Sequence, residues 1–142
     1  MRVLKISAIL MLLSSPMGLA HTAERTPSAP NASVYIISPQ QGEVVTSPVT
    51  VKFGLQGMGV APAGVEKAKT GHHHLLIDTT MTSLDQPIGK DAQHRHFGGG
   101  QTQAQIELAP GKHTLQLVLG DHKHIPHNPP VVSEVVTITV VE

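Results

Sequence analysis

Residues 110–121 read PGKHTLQLVLGD, and this stretch sets the fold class. Pro110-Gly111 is a tight-turn pair. Beyond it His113, Leu115, Leu117 and Leu119 fall on one parity. Successive side chains of a strand point to opposite faces, so this stripe predicts a strand with one face in a core. His113, at the head of the stripe, reads as a hydrogen-bonded filler capping that face and is left out of any site.

Working outward, the same signals recur. Residues 34–38, 43–46, 49–55, 72–78, 94–97, 103–108 and 132–140 are strand candidates, separated by Pro39, Gly42, Ser47-Pro48 and the Gly98-Gly99-Gly100 run. GLQGMGVAPAG, between residues 54 and 64, reads as a loop. About seven short strands with no convincing helix predict an all-β, immunoglobulin-like β-sandwich.

The first twenty residues carry Arg2 and Lys5, then an apolar run, then Gly18 and Ala20 as the small residues of a signal-peptidase cut. The expected organisation is a signal peptide over 1–20, a flexible lead-in over 21–33 and a single domain over 34–142. The expected location is the periplasm or the exterior, with no stable membrane insertion once the signal is removed. After cleavage the chain carries 8 basic and 10 acidic side chains. With no basic patch and almost no aromatic residues, nucleic acid is not an expected partner. There is no cysteine, which removes disulfides, thiolate chemistry and Cys-type metal sites.

What the composition does contain is histidine: ten, nine of them beyond residue 70. In GHHHLLID, residues 71–78, His73 shares parity with Leu75 and Ile77, whereas His72 and His74 share the other face. Same-face neighbours on a strand lie about 7 Å apart at Cα, within reach of one ion. His73 then reads as a rim or core residue held by a backbone carbonyl. The His-x-His pattern recurs at His94 and His96, and again at His122 and His124, with His127 close behind in the proline-stiffened loop 121–130. Asp121 is a candidate acceptor for a ring N–H, orienting a ligand.

Imidazole is a ready ligand near neutral pH, and nitrogen donor sets suit copper and zinc. The candidate metal ligands are therefore His72, His74, His94, His96, His122, His124 and His127, with a copper or zinc ion as the expected cofactor. Met58 reads as packing. His21, as a new N-terminus, offers a separate copper-binding amine and ring.

GHHHLLID, HFGGGQT, LAPGKHTLQLVLGD and DHKHIPHNPPVVSEVVTITV together resemble a bacterial family of small exported proteins. That family is known as a domain of unknown function, and its members are sometimes labelled rod-shape-determining proteins. The likeness spans residues 34–140 and implies a shared fold and a His-rich site, without an activity. The rod-shape label implies a polytopic membrane protein, which this hydropathy does not support. The leading functional expectation is an exported, periplasmic metal-binding protein that handles copper or zinc through its histidine cluster. The alternatives are an interaction module of the cell envelope, binding another envelope protein through structural or pH-sensing histidines, and a copper oxidoreductase or dismutase. A nucleophile triad and a phosphate loop both lack their motifs.

Overall fold

A computed structural model describes residues 24–142; the expected signal peptide and His21 lie outside them. Nine strands form: β1 (Ser33–Ser38), β2 (Val44–Thr46), β3 (Val49–Gln56), β4 (Gly59–Val60), β5 (Thr70–Ile77), β6 (His94–His96), β7 (Gln103–Ile106), β8 (Gly111–Gly120) and β9 (Val136–Val141). The excess over the expected seven comes from short pieces. β4, two residues long, falls within the stretch read as a loop.

Three strands make one sheet in the order β1-β3-β7. The second runs β2-β9-β8-β5-β4, with β6 also pairing β5. The chain is thus an all-β sandwich, with the first, third and seventh strands on one side and the fifth, eighth and ninth on the other. Among the described residues there is no helix long and apolar enough to cross a membrane.

Alternation builds the core. Val49, Val51 and Phe53 of β3 are buried while Thr50 and Lys52 between them are exposed. They pack across the sandwich on Leu75 and Ile77 of β5, the three leucines of β8, and Ile138 and Val140 of β9. β9 starts four residues later than its apolar pattern suggests, because Ser133 interrupts the strand. Its hydroxyl accepts the Leu117 amide and donates to the Glu134 carbonyl.

β5 departs from one-sided burial. Every residue from Gly71 to Ile77 is buried, since the outer face of this sheet is covered as well. Leu76 and Val118 on that face pack with Ile88, Met81 and Val132 in a second, smaller apolar cluster. The covering chain comes from the β5–β6 and β8–β9 connections, which meet where the Ile88 amide donates to the His124 carbonyl at 2.8 Å. Residues 25–28, assigned by sequence to a flexible lead-in, lie along the β8–β9 connection and exchange backbone hydrogen bonds with Asn128.

His73 points into the core, as parity requires, with its ring 5.2 Å from that of Phe53. The expected backbone carbonyl is missing: both ring nitrogens are buried with no partner among the described residues. The ring stands instead against that of Phe53, within the apolar core. Burial pushes its pKa down to about 4. Replacing an unsatisfied buried polar group by an apolar one of similar size removes its desolvation penalty. His73→Leu is therefore expected to stabilise the protein by about 1–3 kcal/mol at neutral pH, read as a higher urea midpoint. A lower midpoint would show that the ring has a polar role in the folded state.

Candidate metal centre

The outer face of β5 carries His72 and His74 side by side. β6 runs antiparallel beside it, in a register that sets His96 directly opposite His74. Directly opposed residues of an antiparallel pair hold their Cβ atoms within about 5.5 Å, so the two rings meet. On the other side of β5, His72 stands opposite Gly120, the last residue of β8. The chain turns immediately after Gly120, and His124, with a left-handed φ of 67°, comes back over the face.

Four histidines thus converge from three elements. One ring nitrogen from each of His72, His74, His96 and His124 lies within 4.8 Å of all the others. The closest ring centroids, those of His96 and His124, are 4.7 Å apart, and the farthest, those of His74 and His124, are 5.9 Å apart. His72 Nε2 sits 3.0 Å from His74 Nε2 and also 3.0 Å from His124 Nδ1. A neutral imidazole nitrogen has one in-plane position, either a proton or a lone pair, so His72 Nε2 serves one of these neighbours well and not both. His96 Nε2 is buried with no partner at all among the described residues.

Two glycines make room. A Cβ on Gly120 would stand 2.8 Å from His74 Nε2, and one on Gly98 would stand 2.7 Å from His96 Nε2. Both positions therefore exclude a side chain for the sake of a ring. The sequence marks Gly98 only as part of a turn-like run, and Gly120 only as a strand end.

The electrostatics follow from packing unpaired imidazoles together. Burial, then the proximity of His124 and His96, push the His72 pKa down to about 4, although Asp121 pulls the other way. His74 is driven lower still, to about 2, by burial first and then by His72, His96 and His124. His96 is lowered by burial, His124 and Lys90. At neutral pH these rings are neutral, the form in which imidazole accepts a metal.

The other three candidates stand elsewhere. His94 faces Leu76 across the strand pair, one side-chain repeat beyond His96, and its Nδ1 lies 2.8 Å from Asp91 Oδ1. His122, on the same turn as His124, has its Nε2 3.9 Å from Glu66 Oε2 and is not among the converging rings. His127 is fully buried, its two ring nitrogens 3.3 and 3.1 Å from the carbonyls of Leu119 and Thr70. It pins the loop to the sheet. His113 is a filler, between Asp78 Oδ2 and the Ala109 carbonyl. Among the described residues Asp121 accepts no ring N–H. Its carboxylate instead takes the amides of Lys123 and Ile125 on Oδ1 and the Thr26 hydroxyl on Oδ2.

Fold and site together define an all-β sandwich whose larger sheet bears a four-histidine cluster able to hold a metal ion. Over residues 51–141 the chain matches the family described as Domain of unknown function (DUF4399), and it belongs to that family. The matched span contains all four converging histidines. No curated protein and no solved structure matches the chain.

The lowered pKa values fix how the metal-free protein responds to acid. His72 and His73 titrate near 6.5 when unfolded and near 4 when folded. The unfolded chain therefore binds more protons between those limits, and stability falls as pH falls. His113, raised by its hydrogen bond to Asp78, works in the opposite sense and loses its contribution as pH rises through its folded value. Two inward or clustered histidines outweigh one, so the metal-free protein is expected to lose several kcal/mol between about pH 6.5 and 4. Urea midpoints across that range check it, and a flat profile would mean that the cluster already admits protons when folded.

Proposed function

We propose that this chain is an exported metal-binding protein that buffers or carries copper or zinc in the cell envelope. The observation that carries the reading is the convergence of four ring nitrogens, from two buried and two half-buried histidines, on one face of the larger sheet. Four nitrogens bound to one ion at about 2.0–2.1 Å stand roughly 3.3 Å apart in a tetrahedron. The two 3.0 Å separations around His72 are near that spacing, and all four nitrogens lie within 4.8 Å of one another. Such a set, free of thiolate and carboxylate, suits zinc or copper.

Binding is favoured over catalysis by the same geometry. Four protein ligands fill a tetrahedral site, whereas catalytic zinc retains a position for water or substrate. A cavity of about 460 Å³ beside β6 and β7 touches His96 but is lined otherwise by residues outside the cluster, such as Phe97 and Ile106. A histidine surface built to contact a partner would spread its rings outward, and here two of the four are fully buried. The signal-like opening over residues 1–20 supports export.

Protein produced by exporting the full chain, without a tag, should bind one equivalent of Zn(II) or Cu(II) with sub-micromolar affinity in a calorimetric titration. The His72→Ala/His74→Ala double variant should lose that binding by at least about 100-fold, and His94→Ala should retain it. Weak binding of several equivalents, unchanged in the double variant, would overturn the reading.

Gly120→Ala tests the geometry without removing a ligand. Its new methyl must displace the His74 ring, and affinity should drop by about 10- to 100-fold while the protein remains folded. Wild-type affinity in this variant would mean that His74 does not bind through the nitrogen beside Gly120.

A further inference from the structure

We infer that residues 25–28 latch the loop carrying His124, with Thr26 and Asp121 as positioning residues, so that docking of this segment governs how tightly the four-histidine site holds its ion. The inference rests on the metal-binding reading above and adds a determinant that touches none of the four rings.

His72, His74 and His96 stand on paired strands, where register fixes them. His124 alone stands on a connection, in a left-handed conformation that is uncommon for a non-glycine residue. What holds it is a closed turn. The His124 amide donates to the Asp121 carbonyl at 2.8 Å, and the Asp121 amide donates to the Ile125 carbonyl at 2.9 Å. The Asp121 carboxylate ties the same turn from the inside through the amides of Lys123 and Ile125, at 2.8 and 3.0 Å.

Asp121 is in turn fixed from outside the loop. It is almost fully buried, and its second oxygen accepts the Thr26 hydroxyl at 2.6 Å. Arg25 reaches past it, donating from Nε to the Pro126 carbonyl and from Nη2 to that of His127. The Ser28 amide donates to the Asn128 carbonyl, and the Asn128 amide donates back to that of Thr26. On the other side of this segment a cavity of about 370 Å³ separates residues 26–28 from residues 65–70. The segment is thus held chiefly by the loop, and it adds a second set of ties to a loop that His127 already pins to the sheet.

Releasing the latch would leave three ligands in place and a fourth on a turn less firmly held, tied from outside by the Ile88 amide on the His124 carbonyl and the Gly64 amide on the His122 carbonyl. Loss of an outer partner of this kind lowers metal affinity by about 10- to 100-fold. The effect should appear mainly as faster release, because the three strand ligands still capture the ion.

The test compares wild type, Thr26→Val, Thr26→Ser and His124→Ala, each obtained by export of the full chain. Zn(II) affinity is read by competition with a chelating dye, and ligand geometry by the visible absorption of the Co(II) form. Thr26→Val is expected to bind about 10- to 100-fold more weakly, with a Co(II) spectrum shifted toward that of His124→Ala, while Thr26→Ser restores wild-type values. Arg25→Ala, which leaves the Asp121 carboxylate contacts intact, guards against a misfolded Thr26 variant and should weaken binding in the same direction. Wild-type affinity in both Thr26→Val and Arg25→Ala, beside a weakened His124→Ala, overturns the latch and leaves the metal site standing. A wild-type protein that binds neither ion overturns the metal reading itself, which the wild-type titration alone reveals.

Discussion

The organising constraint is the burial of β5 on both faces. A strand at a sandwich surface ordinarily turns one parity to the core and the other to water. Here Leu75 and Ile77 face the core, and the opposite parity, His72, His74 and Leu76, is roofed by two long connections. Once that roof exists, polar groups beneath it have no solvent, and each must find a partner or remain unsatisfied. The arrangement of β6, the turn after β8 and the segment at residues 25–28 can be understood as the consequence of placing two adjacent imidazoles in that position.

Apolar side chains there would make a better core. Leu76 and Val118 on the same face show that the local environment accepts them. Four rings are instead gathered with hydrogen-bonding capacity that they cannot use on one another, and with no carboxylate among them to take a proton's charge. Local choices that run against the fold's own preferences mark functional positions more often than accidents of packing. Gly98 and Gly120 point the same way, because each gives up a side chain where a ring needs the room.

How much of this was legible in the sequence depended on whether a residue lies in a regular strand. Parity alone separated His72 and His74 from His73, and identified His113 as a filler, since a strand's period is fixed. It could not separate His96 from His94, which share parity; the choice is made by register, with His96 opposite His74 and His94 displaced to Leu76. Nor could it separate His124 from His122, because parity has no meaning in a turn where φ is positive. His127 looked like a ligand because the loop is rich in histidine, and only the fold turns its ring toward two backbone carbonyls. Asp121 reads from sequence as the acceptor of a ring N–H, whereas in the fold its carboxylate takes the backbone amides of the turn that carries His124, which no spacing rule encodes.

The neutrality of the cluster links stability to ligand. In the metal-free protein, burial and mutual repulsion keep the rings unprotonated, and this favourable state for binding exists before any ion arrives. A cation would therefore displace few protons near neutral pH and would supply the missing partner to His96 Nε2 and to the crowded His72 Nε2. Binding to the folded state alone adds stability in proportion to the logarithm of free ion over dissociation constant. The features that weaken the metal-free sandwich are thus the ones that couple its stability to metal, in a chain that has no cysteine and so no disulfide to add to it.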